Sequence, residues 1–189
     1  MKDAEVFTDG DWVESKDQDP EGDVRLTQLA DIGDGEWLDK SARFLTAKKA
    51  SELRCTFLRE GDVLVARMPD PLGRATVFPG DSMPCVTVVD VCILRPNPTR
   101  FHSTFLMHAI NTIGVRWQIQ RYATGTTRKR ISRGNLGKVV IYCPPLAKQI
   151  EFGSFADKVA EIKKRLMRGL ERNDDLFASL QARAFQGEL

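Results

Sequence analysis

The sequence is poor in the groups from which enzymes assemble reactive centres, with two histidines and four cysteines in 189 residues. Cys55, Cys85, Cys92 and Cys143 form no CxxC pair and have no histidine close by in sequence, so the spacing of a zinc site is missing and buried reduced thiols are expected. His102 and His108 stand six apart, on different faces of a helix, which argues against a shared metal. There is no Gly-x-Ser-x-Gly elbow, no Walker loop, and no glycine-rich cofactor loop following a strand. Asn97-Pro98-Thr99 begins like the Asn/Asp-Pro-Pro-aromatic motif of adenine methyltransferases but stops there. Pro69-Asp70 together with Glu161-Ile162-Lys163 superficially resembles a metal-nuclease signature; its second part falls on a charged helix surface instead of a strand, so a nuclease role is rejected. No run of about eighteen apolar residues is present to cross a bilayer, and MKDAEVFTDG lacks the apolar centre of a secretion signal. The expectation is a cytoplasmic protein with no membrane partner.

What is present is enough for one domain and an appended helix. A hydrophobic content of 42% and a charged content of 29% lie near the averages for soluble proteins, so a packed core is expected. The net charge of +2 says less than its distribution. Between Asp9 and Asp39 eleven acids face only Lys16 and Arg25. From Gln120 to Lys138 the sign reverses: Arg121, Arg128, Lys129, Arg130, Arg133 and Lys138 occur with no acid. Such a patch suits phosphate.

The chain opens with turn-rich sequence around a short apolar stretch at residues 24–32, read as a strand. Thr46 caps a short helix through Arg54, and Gly61-Asp62 opens the buried strand VLVARM. Residues 74–78 and 86–95 are β-branched runs ended by Pro79-Gly80 and Pro96-Asn97-Pro98, again strands. Residues 103–120 fit one helix capped by Ser103 or Thr104, and residues 139–143 a last strand closed by Pro144-Pro145. The fold class expected is α+β, a globule with a mixed or antiparallel sheet over residues 1–144 and a long helix over residues 145–189. No internal repeat or low-complexity linker separates the two.

The long helix carries apolar residues at spacings of three and four: Phe152, Phe155, Val159, Ile162, Leu166, Leu170, Asn173, Leu176 or Phe177, Leu180 and Ala184. Charged side chains surround this seam, the pattern of a helix that pairs with another helix, here through Phe155, Val159, Ile162, Leu166, Leu170, Asn173, Phe177 and Leu180. A helix packed on its own domain produces a related pattern. Asn173 interrupts the seam beside Gly169, and a polar residue at such a place fixes register, here an antiparallel pairing by hypothesis.

The basic segment carries the second candidate site. Thr124, Gly125, Thr126, Thr127, Arg128, Lys129 and Arg130 combine hydroxyls, a permissive glycine and three successive cations on a loop after a helix. That composition suits phosphates, and Arg128 or Arg130 has the fork that matches a guanine edge. A solvated charged turn is the plain alternative. Lys16, Arg67 and Arg74, in loops or at strand ends, are weaker candidates.

The stretch ATGTTRKRISRGNLGKVVIYCPPLAKQ, followed by a long helix ending in SLQARAFQGEL, resembles the specificity (S) subunit of type I restriction-modification systems. Upstream, GDVRLTQLADIGDG, REGDVLVAR and DPLGRATVF resemble the target recognition domain of the same family, so the likeness runs along nearly the whole chain. The resemblance implies a non-catalytic subunit that binds double-stranded DNA, each recognition domain reading one half of a split target. Methyltransferase (M) subunits docked on the helices, and restriction (R) subunits in the full complex, supply the catalysis. S-adenosylmethionine, Mg and ATP would then belong to partners, with no cofactor in this chain. An S subunit has two recognition domains and two helices, whereas this chain has one of each. A homodimer through the helix would restore the full shape and predicts a palindromic split target. The reading from another class is an oligomeric protein-interaction adaptor that does not bind DNA.

Overall fold

The computed structural model describes residues 4–69 and 71–187. Asp70, which opens the DPLGRATVF motif and half of the nuclease-like pair, and Glu188-Leu189 of the terminal motif lie outside the described residues. Two compact units emerge, Met1–Ile150 and Glu151–Leu189.

The first unit is built on seven strands: β1 (Val6–Asp9), β2 (Val24–Thr27), β3 (Phe44–Leu45), β4 (Val63–Ala66), β5 (Ala75–Val77), β6 (Cys85–Thr87) and β7 (Val91–Arg95). They form two sheets. One is antiparallel with strand order β1-β7-β4-β5; the other runs β3-β2-β6, with β2 antiparallel to β3 and parallel to β6. Helices α1 (Ala47–Glu52), α2 (Ser103–Ile110), α3 (Ile113–Tyr122) and α4 (Arg133–Leu136) complete the globule.

The uninterrupted apolar run of β4 reflects burial on both faces, since successive side chains of a strand point to opposite sides. Val63 and Val65 pack with Leu94, Cys92, Leu106, Ile110, Ile119 and Ile131. Leu64 and Ala66 pack on the other side with Ile93, Ile32, Phe78 and Cys85. All four β4 residues are fully buried, and each large aliphatic side chain so buried contributes about 1.5–3 kcal/mol. A third cluster, Val24, Leu26, Leu45, Ala50 and Val86, lies under the smaller sheet. The expected α1 helix is present, with Thr46 Oγ1 accepting from the Lys49 amide at 3.1 Å.

Four expectations about the elements change. Residues 86–95 are not one strand: β6 ends at Thr87, a turn follows in which the Val91 amide donates to Val88 O at 3.0 Å, and β7 joins the other sheet. The single helix over residues 103–120 is broken at Asn111, whose side chain accepts from the Ala75 amide at 2.9 Å and donates to Ala75 O at 2.8 Å. It serves the edge of β5 as a further strand residue would, and Thr112 Oγ1 donates to Ala109 O at 2.8 Å where α2 ends. His102, not Ser103 or Thr104, is the N-cap of α2, while Ser103 Oγ donates to Gly61 O at 2.7 Å. The strand expected at residues 139–143 has no strand partner. Instead the Gln118 amide donates to Val140 O at 3.0 Å and accepts from the Val140 N–H at 2.9 Å, satisfying both backbone groups from a side chain. β1, an edge strand on β7, was hidden among turn residues.

The second unit is helical. Helix α5 (Leu146–Gln186) has its residues from 151 onward in it. Phe155, Ile162, Leu166, Leu170, Phe177 and Leu180 are exposed, Leu166 to 69%. Val159 is half-buried and Asn173 exposed. Most of the apolar seam is therefore exposed. The fold is α+β, with mixed and antiparallel open sheets and a long helix.

Candidate nucleic-acid interface

The basic segment folds as a small hairpin. α3 ends at Tyr122, and the Thr124 amide donates to Arg130 O at 2.8 Å while the Arg130 amide donates to Thr124 O at 2.9 Å, closing a five-residue loop. Gly125 takes φ +94°, and a Cβ there would sit 2.6 Å from Arg128 O, so the turn needs glycine twice over. Residues 125–129 are all exposed. The side chains of Thr126, Thr127, Arg128 and Lys129 form no hydrogen bond or ion pair with the described residues, so hydroxyls and cations are free to meet a ligand.

The foot of the hairpin is rigid by contrast. Ile131 is fully buried, and its amide donates to Arg67 O at 3.1 Å. Ser132 caps α4, accepting from the Asn135 amide at 3.2 Å. Arg130 pairs with Asp90 at 2.7 Å, in the turn between β6 and β7. Arg133 donates to Thr8 Oγ1 at 3.3 Å and lies 3.9 Å from the Asp9 carboxylate. Arg128 and Lys129 thus project beyond a braced base, while Arg130 belongs to the base.

The other candidates do not gather at the hairpin tip. Arg67 is 4% exposed and its guanidinium is paired with Asp9, which takes it off the surface. Arg74 donates to Ile32 O at 2.8 Å, Leu29 O at 3.2 Å and Pro69 O at 3.2 Å, tying a loop to β5; burial lowers its pKa. Burial of the Arg67 guanidinium against Asp9, and the three backbone carbonyls that hold Arg74, turn both side chains inward to brace the fold. Lys16 is exposed but pairs with Glu14 at 2.5 Å, a hydrogen bond that raises its pKa.

Two features escaped the sequence reading. The acid-free stretch is wider than residues 120–138, since no Asp or Glu occurs between Asp90 and Glu151. Arg121 is a further exposed cation in it, while Lys138 donates to Asn135 Oδ1 at 2.9 Å and sits 5.9 Å over the Tyr122 ring. A longer charge window would have found the first. Gln149, of the Pro-Pro-x-x-x-Gln motif, is fully buried: its amide donates to Pro144 O at 2.8 Å and Arg100 O at 3.0 Å and accepts from the His102 amide at 3.0 Å. The resemblance marked Pro144, Pro145 and Gln149 as a motif, but no local pattern announces the bonds that bury the glutamine.

No group of His, Cys, Asp and Glu among the described residues could hold a metal ion. Burial pushes the thiols of Cys85 and Cys92 up to about 12 and that of Cys55 up to about 11, so all three stay protonated at neutral pH. Cys143 is the exposed exception to the expected burial. No described helix is long and apolar enough to cross a membrane.

No family model and no curated protein matches the chain. Solved structures do. A chain from a structure of the assembly and conformational transition of the type I R-M system matches with a TM-score of 0.70 and 20% identity, over 100% of this chain and 45% of that one. The HsdS subunit from Thermoanaerobacter tengcongensis matches with a TM-score of 0.61 and 20% identity, over 97% of this chain and 43% of its own. The type I restriction-modification S subunit from M. genitalium matches with a TM-score of 0.62 and 16% identity, over 97% and 44%. This chain spans a little under half the length of each of those proteins, and over that span it has the fold of the type I restriction-modification specificity subunits.

Proposed function

We propose that this chain is a non-catalytic DNA-recognition subunit of a type I restriction-modification complex, reading one half of a bipartite double-stranded target. The observation that carries the reading is the hairpin tip, where Arg128 and Lys129 stand exposed and unpaired on a braced base. It occurs on a fold shared with specificity subunits. The globule docks on the half-site, while the seam of α5 joins a second helix and offers surface to a methyltransferase subunit. A homodimer would present two identical globules and so read a palindromic split site. Methyl transfer and cleavage, with S-adenosylmethionine, Mg and ATP, fall to the M and R partners.

The test is the salt dependence of binding to duplex DNA. Each phosphate neutralised contributes a slope of about −0.9 to log affinity against log salt. Replacing Arg128 and Lys129 by alanine should flatten the slope by roughly two such units, while Arg67→Lys, inside the fold, should leave it unchanged. A slope near zero for the unaltered chain would sink the reading. The adaptor reading is favoured by a different observation: Ile113, Trp117, Val140 and Tyr142 expose 69%, 69%, 72% and 82% of their surface, a composition typical of protein interfaces. It predicts that Trp117→Ala weakens partner capture with no change in DNA affinity.

A further inference from the structure

The hairpin that carries the free cations meets, at its closing residue, the turn joining the two sheets. The Arg67 amide donates to Asp90 O at 2.9 Å, and Arg67 O in turn accepts from the Ile131 amide at 3.1 Å. The backbone at Arg67 is therefore clasped between the turn and the hairpin foot. The Asp90 carboxylate spans the same gap directly, holding the Arg130 guanidinium at 2.7 Å. Asp90 is 26% exposed in its side chain and Arg130 42%, so water screens the pair and its direct contribution to stability is small. Its geometric effect is larger, because Arg130 is also the residue whose backbone closes the hairpin on Thr124. The ion pair is thus the side-chain brace that acts on the closing residue of the five-residue loop itself.

We infer that Asp90 is a positioning residue for DNA recognition: by holding Arg130 it fixes the pose of the tip and keeps Arg130 itself off the phosphates. The inference rests on the DNA-binding reading and deepens it. Sequence discrimination needs donors held within a few tenths of an ångström of base edges, whereas attraction to phosphates tolerates motion. Losing Asp90 should therefore separate the two. Discrimination falls, because the tip is no longer aimed. Non-specific attraction rises, because Arg130 becomes a third free cation beside Arg128 and Lys129.

The experiment takes the full chain, selects its preferred duplex from a pool with random central base pairs, and measures two quantities. One is the ratio of affinities for the selected duplex and the pool; the other is the salt slope. For Asp90→Asn the ratio should fall about tenfold, the scale of one lost base contact, and the slope should steepen by about 0.9. Arg130→Met should lower the ratio equally and leave the slope as it was, which keeps the test open if one variant folds poorly. A purely structural role would weaken both duplexes alike and steepen nothing; that result, or an unchanged ratio in both variants, overturns the inference. An unaltered chain with no salt-dependent binding overturns the DNA-binding reading beneath it, and the two failures are distinguishable.

Discussion

The first 90 residues hold 19 acidic side chains, and residues 91–150 hold none while carrying ten Lys and Arg. The first region is mixed, with eleven Lys and Arg beside its acids, whereas the second is of one sign. Folded together they set seven of these cations into two kinds. Arg95 pairs with Asp62, Arg116 with Asp34, Arg130 with Asp90 and Arg133 with Asp9, each reaching an acid of the first region. Arg121, Arg128 and Lys129 find none among the described residues. Composition marks a basic region, and only the pairing pattern separates its internal fastenings from the charges left for a ligand. The acids of the first region are similarly divided, for Asp62 and Asp31 are almost wholly buried while Asp34 and Asp39 lie at the surface.

The largest effect expected from breaking this division is at Asp9. Asp9→Ala leaves the buried Arg67 guanidinium without its counter-charge, and removing one partner of a buried pair costs about 3–5 kcal/mol. Urea unfolding should show the loss, and a value under about 1 kcal/mol would mean that Arg67 finds another partner. Next in size, Gln149→Leu strands the His102 amide and two carbonyls and should cost about 1–3 kcal/mol by the same measurement. A smaller and pH-dependent effect is expected at Asp81. Burial pushes its pKa up, but the Met83 amide and the Arg25 guanidinium outweigh this and hold it below its ordinary 3.8. A depressed carboxylate stabilises the fold fully above its unfolded value and loses that contribution as pH falls through the folded one. The stability gap between the natural chain and Asp81→Asn should therefore close only below about pH 4. Smallest of all, Lys129→Glu should change stability by less than about 0.5 kcal/mol, since the side chain touches nothing inside the globule. Thermal melting checks it, and a large shift would make the tip part of the fold.

Much of this was legible beforehand. The double proline announced α5, Thr46 announced α1, and the apolar run at residues 63–66 announced a strand buried on both faces. The helix seam and the basic loop were visible as periodicity and charge. What escaped depends on contacts distant in sequence. Asn111 ends α2 because of Ala75, and the extended segment at Val140 is held by Gln118. Arg67 reads as a weak candidate at a strand end, more structural than base-reading, and its partner Asp9 lies 58 positions earlier. A one-dimensional pattern carries the period of an element and the sign of a charge, but not the partner that cancels it.

The hairpin also bears on how such a chain can change over generations. Gly125 cannot be replaced without a clash, and Arg130, Ile131 and Ser132 are committed to the foundation. The four side chains between them answer to no neighbour. They form a replaceable bit in a fixed chuck: substitutions among them leave the foundation that folds and holds the loop unaltered.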